Sequence, residues 1–205
     1  MAFRTSTIYS KEGVYAHERF PFAGGGSSSG YASISVDVND DTNTSTLPYE
    51  LIQINACFRP FTDNSIPDVT FKDSSGTAIG AHYKVASPGS TTTTQDSGYA
   101  PNTSIPLTRW GVGNYAPTPS STFSNVEMCH LFMTIKFNRN STNPISRVAG
   151  YYITNQENTS GSTRMNYGSF YLYGDSNPYS AEFKFAAGNI SGKFMVWGYC
   201  GESVD

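Results

Sequence analysis

Along this chain, apolar and polar residues alternate in short stretches separated by clusters of turn-forming residues. In YASISVDV (31–38), Ala32, Ile34, Val36 and Val38 alternate with Ser33, Ser35 and Asp37, the period of a half-buried strand. In YELIQINACFRP (49–60), Ile52, Ile54, Ala56 and Phe58 form the more apolar face, and Leu51, Gln53, Asn55 and Cys57 the other. DVTFKD (68–73) and AIGAHYKV (78–85) flank Asp73-Ser74-Ser75-Gly76 and read as a hairpin. MCHLFMTIKFN (128–138) is the strongest core strand. SRVAGYYIT (146–154), MNYGSFYLYG (165–174), YSAEFKFAAG (179–188) and SGKFMVWGYC (191–200) follow at short, even intervals. Phe183 and Phe185 share a face, as do Phe194 and Val196, with Met195 and Trp197 opposite.

Two stretches lack this pattern. Residues 86–106 are Ser-, Thr- and Pro-rich and read as a long polar loop, and 113–124 as a second one, with a short strand expected over LTRWGV between them. Residues 1–29 read as an extended N-terminal arm with aromatic anchors, joined by a Gly/Ser segment to a single domain over 30–205. The arm has two readings, docking on its own domain or a neighbouring subunit, or a frayed terminus with a first strand. Nine or ten strands with no convincing helix predict an all-β fold, an antiparallel two-sheet sandwich of jelly-roll type.

Composition sharpens this. Of 205 residues only 14% are charged, against roughly 25% in average proteins. Ser, Thr, Asn, Gly and aromatic residues fill the difference, and they favour strands and turns over helix. The net charge of −3 and the scattered basic residues leave no cluster to neutralise a run of phosphates, so nucleic acid is not an expected partner. No apolar run reaches the length of a membrane span, so membrane insertion is not expected. The first twenty residues lack the apolar segment of a secretory signal, which predicts synthesis in a cytoplasm without export.

The segment AEFKFAAGNISGKFMVWGYC (181–200) resembles a C-terminal signature of tailed-bacteriophage structural proteins. That signature is a strand, a Gly-Asn turn, a small residue with Gly, and an alternating strand closing on Gly. Here its positions are Phe183, Phe185, Gly188, Asn189, Ser191, Gly192, Phe194 and Gly198. Met195 and Trp197 are bulkier than usual for it, and CGESVD runs past its normal end. The resemblance covers about the last quarter of the chain. It implies a β-sandwich virion protein, a capsid decoration protein or short head fibre, that forms a homo-oligomer, most simply a trimer, and binds other virion proteins. The alternative it implies is a tail-associated receptor-binding module that recognises host surface polysaccharide through the long loops.

Candidate chemistry is sparse. His17, His82 and His130 lie in no recognised motif, and adjacent Cys129 and His130 on a strand face opposite ways. Cys57, Cys129 and Cys200 are expected as free thiols, the first two buried in strands. No nucleophile elbow or phosphate loop is present. No catalytic residue and no cofactor are assigned, and the chain is expected not to be an enzyme. Asp37, Asn39, Asp41 and Asn43 alternate as calcium ligands do, yet Thr42 and Pro48 stand where such a loop has Gly and Glu. A solvated turn explains them as well. Among aromatics, Tyr99 and Tyr115 are the loop candidates for stacking on a sugar.

Overall fold

The computed structural model describes residues 6–9, 14–18, 31–38, 51–60, 65–88, 93–108, 129–137, 148–157, 163–173 and 178–199. Its strands are β1 (Ser6–Tyr9), β2 (Val14–Glu18), β3 (Ile34–Asp37), β4 (Leu51–Pro60), β5 (Pro67–Lys72), β6 (Ala81–Pro88), β7 (Thr93–Asn102), β8 (Ile105–Pro106), β9 (Cys129–Phe137), β10 (Val148–Glu157), β11 (Thr163–Leu172), β12 (Ser180–Phe185) and β13 (Ile190–Tyr199). They form two antiparallel sheets, a nine-stranded one in the order β1-β2-β13-β4-β9-β10-β11-β6-β7 and a four-stranded one in the order β3-β12-β5-β8. The all-β antiparallel sandwich expected from the sequence is the fold. Within the larger sheet, the six strands from β13 to β6 supply its described core residues. The β9–β10–β11 meander and the β6–β7 pair make that sheet wider than the eight-strand jelly-roll pattern.

The alternating sequences fold as their period demands. On β4, Ile52, Ile54, Ala56 and Phe58 are buried and the intervening residues are half-buried. Phe58 and Phe194 from the larger sheet meet Phe183 and Phe185 from the smaller. Phe58 and Phe194 stack at 5.6 Å, Phe183 lies 4.8 Å from Phe194, and Phe185 meets Phe58 edge-on at 5.8 Å. Aromatic pairs in these geometries add roughly 0.5–1.5 kcal/mol each to their area burial. A second inter-sheet pair, Phe71 and Phe170, stacks at 5.2 Å.

Three local features differ from the sequence reading or add to it. The Asp73–Gly76 turn forms, and the Asp73 carboxylate accepts hydrogen bonds from the Ser75 and Thr77 amides at 2.9 Å. The strands it joins nevertheless part company, β5 entering the smaller sheet and β6 the larger. The Gly188-Asn189 turn likewise arches from β12 in one sheet to β13 in the other. Gly188 takes φ +77°, as its place in the turn required. The Ser65 hydroxyl ties the arch by donating to the Ala187 carbonyl and accepting from its amide, both at 2.9 Å. Thirdly, the stretch read as a polar loop contains β7 and β8, and β7 pairs along β6 with a register shift between Ala81 and Tyr83. Leu107 and Thr108 are buried just after β8, while 109–112, the rest of the expected short strand, lie outside the described residues.

Of the N-terminal arm, β1 and β2 form a hairpin, and β2 pairs with β13 from Tyr199↔Val14 to Val196↔His17. No helix among the described residues is long and apolar enough to cross a membrane.

Candidate functional site

The two outer faces of the sandwich differ in chemistry. Outward positions of the smaller sheet are Ser33, Ser35, Asp68, Lys72, Glu182 and Lys184. Glu182 anchors this face. It pairs with Lys72 at 2.7 Å and accepts a hydrogen bond from the Ser33 hydroxyl at 2.8 Å. Burial alone would raise its pKa, but these hydrogen bonds, aided by the charges of Lys72 and Lys184, hold its carboxyl below the usual range. Asp68 behaves oppositely: burial pushes it up to about 6, Lys184 opposing and Glu182 assisting. This is a polar sheet face that is mostly half-buried, with Ser35 exposed and Thr70 buried.

The outer face of the larger sheet carries large apolar side chains instead. Phe132, Tyr151, Ile153, Met165, Tyr167 and Tyr173 are 37% to 52% exposed. Strand register gathers them. One cross-strand row runs Met195–Asn55–Phe132–Ile153–Tyr167 through β13, β4, β9, β10 and β11. The next runs Lys193–Cys57–His130–Asn155–Met165. Directly opposite residues stand close enough to touch, so the rows make one continuous surface. Near β13 and β4 it dips into an open depression of about 400 Å³, with Phe132, Ile153 and Met195 as its apolar part and Asn55, Asn155 and His130 as its polar part. At the far end, His82 stacks on Tyr171 at 4.8 Å and meets Tyr173 edge-on at 5.9 Å.

Cys57 and His130 face one another within this depression, Sγ to Nε2 at 3.8 Å. Cysteine, histidine and Asn155 thus line up on three adjacent strands, an order that acyl-transfer sites also use. Burial nevertheless pushes the Cys57 thiol up, away from the thiolate that a nucleophile needs. Cys57 is half-buried on the outward face of β4 and is not the core thiol expected from its apolar surroundings, because strand parity turns it away from Ile54 and Phe58. Cys129 is the buried thiol, pushed far up by desolvation. It points inward and His130 outward, as adjacent strand residues must.

The calcium candidates are described only in part. Asp37 ends β3, and Asn39, Asp41 and Asn43 lie outside the described residues. Among the described residues no group of three or more His, Cys, Asp or Glu could hold a metal ion. Tyr99 sits on strand β7 rather than in a loop, because a Thr-rich run with no apolar face can still pair at the margin of a sheet. Tyr115 lies outside the described residues.

Sequence reasoning missed the apolar outer face and the Cys57–His130 pair. The signal for the face was present where alternation fails: Leu131-Phe132-Met133 and Tyr151-Tyr152-Ile153 put apolar groups on both sides of their strands. The pair carried no local signal, since 73 residues separate its members. No protein family, curated protein or solved structure matches this chain.

Proposed function

We propose that this chain is a non-enzymatic outer structural protein of a tailed-phage virion, a capsid decoration or short head-fibre protein, working as a homo-oligomer through assembly and surface binding. The observation that carries the reading is the unequal pair of outer faces: a polar one suited to water and a broad aromatic one suited to another surface. Contiguous apolar patches of that kind mark interaction sites. The virion setting comes from the resemblance of residues 181–200 to phage structural proteins. A trimer is the expected state on the same ground, in a closed symmetric assembly. Immunogold labelling of purified particles with antibody against this chain tests the proposal. Regular label over the head is the expected result; no label on intact particles, with the protein present in the lysate, refutes it.

The depression beside Phe132 supports a second reading, a tail-associated module recognising host polysaccharide. It offers an apolar floor flanked by the Asn55 and Asn155 amides, and sugars present one apolar face and a rim of hydroxyls. Label confined to the tail end would favour this reading over head decoration.

A further inference from the structure

We propose that Cys57 and His130, with the Asn155 carboxamide beside them, form a binding site for a thiophilic metal ion of the zinc class. The site goes beyond the proposed function and does not depend on it.

Strand register builds the donor set. Cys57 on β4 lies directly opposite His130 on β9, and His130 lies directly opposite Asn155 on β10. All three line the same open depression. Opposite residues in an antiparallel sheet hold their Cβ atoms about 4.5–5.5 Å apart, so the donors of neighbours can reach one small ion.

The spacing of the first two donors carries the inference. Sγ of Cys57 and Nε2 of His130 are 3.8 Å apart. Zinc takes a thiolate sulfur at about 2.3 Å and an imidazole nitrogen at about 2.0–2.1 Å. Two bonds of those lengths end about 3.6 Å apart at a tetrahedral angle and about 3.8 Å apart at a trigonal one. The pair already stands as two ligands of one ion, and closes by about 0.2 Å at most. Thiolate and imidazole are also the donor types that suit zinc. The Asn155 carboxamide oxygen is a weaker third donor, and water fills the rest, as in zinc sites that keep an open position.

Access follows from the same geometry. The depression of about 400 Å³ opens outward, which gives the ion an entry path and its waters room. Cys57 is half-buried there and His130 is exposed. Burial pushes the free thiol up, yet a bound divalent cation deprotonates a coordinating thiol outright. Cys129, next to His130 in the chain, is buried on the inward side of β9 and takes no part. Lys193 lies opposite Cys57 on β13, and its ammonium group opposes the cation and limits the affinity.

The full chain, reduced and stripped of metal, is titrated with cobalt(II), and zinc(II) is then added as competitor. The expected result is one ion per chain, with the near-ultraviolet thiolate-to-cobalt absorption that a sulfur ligand gives, displaced by zinc. X-ray absorption of the zinc form should show one sulfur at about 2.3 Å beside nitrogen or oxygen at about 2.0–2.1 Å. Cys57→Ser should abolish the sulfur band. His130→Gln should weaken binding by more than the roughly ten-fold that losing even an outer partner of a metal ligand costs. Asn155→Ala should weaken it by a smaller factor, and Cys200→Ser should titrate as the wild type does. Circular dichroism melts show whether each variant is folded, and saturating zinc should raise the Tm of the wild type but not of Cys57→Ser.

A wild type with no saturable absorption, or titrations unchanged in Cys57→Ser or in His130→Gln, would overturn the inference. So would two sulfurs per ion, or a band lost in Cys200→Ser, since the thiol ligands would then come from elsewhere. An affinity unaltered in Asn155→Ala would overturn the three-donor site.

Discussion

The pairing of β10 with β11 sets two glycines against two buried rings. Gly168 lies opposite Tyr152 and Gly150 opposite Phe170, and each ring crosses the space that a side chain on its partner would fill. A Cβ at Gly168 would stand 2.3 Å from Tyr152 Cζ. Tyr152 has little room to yield, because it is fully buried and its hydroxyl donates to the Pro106 carbonyl at 2.6 Å. That bond crosses the interior, since Pro106 belongs to β8 of the smaller sheet. Gly168→Ala must therefore displace a core ring, at about 1–3 kcal/mol for overpacking. Straining or breaking the hydroxyl bond adds about 1 kcal/mol. Removing a glycine from a strand returns about 0.5–1 kcal/mol. The net expectation is a loss of about 2–3 kcal/mol, or about 4–12 °C in Tm for a chain of this size. Urea melts of wild type, Gly168→Ala, Tyr152→Leu and the double variant form the test. With the ring gone the alanine methyl has room, so the cycle should show a coupling of at least about 1.5 kcal/mol. A nearly neutral Gly168→Ala, or effects that add within about 0.5 kcal/mol, would refute the ring-over-glycine account.

Other expectations follow from the same packing. Phe194→Ala removes a ring in contact with Phe58 and Phe183 and should cost about 3–5 kcal/mol in denaturant melts. Ser65→Ala breaks the reciprocal bonds to Ala187 and should cost about 1–2 kcal/mol, with amide exchange rising first in the arch at 186–189. Asp68 is held near 6 when folded against 3.8 as its ordinary value. Between those values the unfolded chain releases the proton while the folded chain keeps it, so this group's contribution to stability falls as pH rises. Asp68→Asn should therefore gain on the wild type from about pH 4 to 6, reaching about 1–2 kcal/mol after solvent screening. A difference between the two proteins that does not change with pH would contradict this.

Strands with a one-sided pattern were legible in the sequence, and the reason is steric. On β4 and β12 an inward Ile, Ala or Phe alternates mostly with a residue that water tolerates, so parity alone fixed the buried face. β7 was not legible because TTTTQDSGYA is polar at both parities, and its ladder rests on backbone bonds that leave no hydrophobic trace. Sheet membership was not legible either. The turn at Asp73–Gly76 and the arch at Gly188-Asn189 look like hairpin loops from their residues, yet each carries the chain between sheets, a choice made by core contacts distant in sequence. The site depended on both hidden features. Its rows are built by register among β13, β4, β9, β10 and β11, which no local window contains.

The apolar outer face is not an accident of one strand's pairing. On β10 and β11, Thr154, Gln156 and Asn166 are buried, while Ile153, Met165 and Tyr167 stand outside. A one-residue shift would exchange these sets and bury the apolar ones. It would also expel Tyr152 and Phe170 from the core. The glycines oppose that shift, because Gly150 and Gly168 fall at the inward parity where those rings need space. Two inter-sheet bonds oppose it as well, from Tyr152 to the Pro106 carbonyl and from the Thr154 hydroxyl to the Leu107 carbonyl at 3.0 Å. The same register that seals the interior thus holds Ile153 and Tyr167 in the open. A chain whose composition abounds in Ser, Thr and Asn could have placed them at those exposed positions at little cost to the core. It carries large apolar groups there instead, as expected of a face that meets another protein surface.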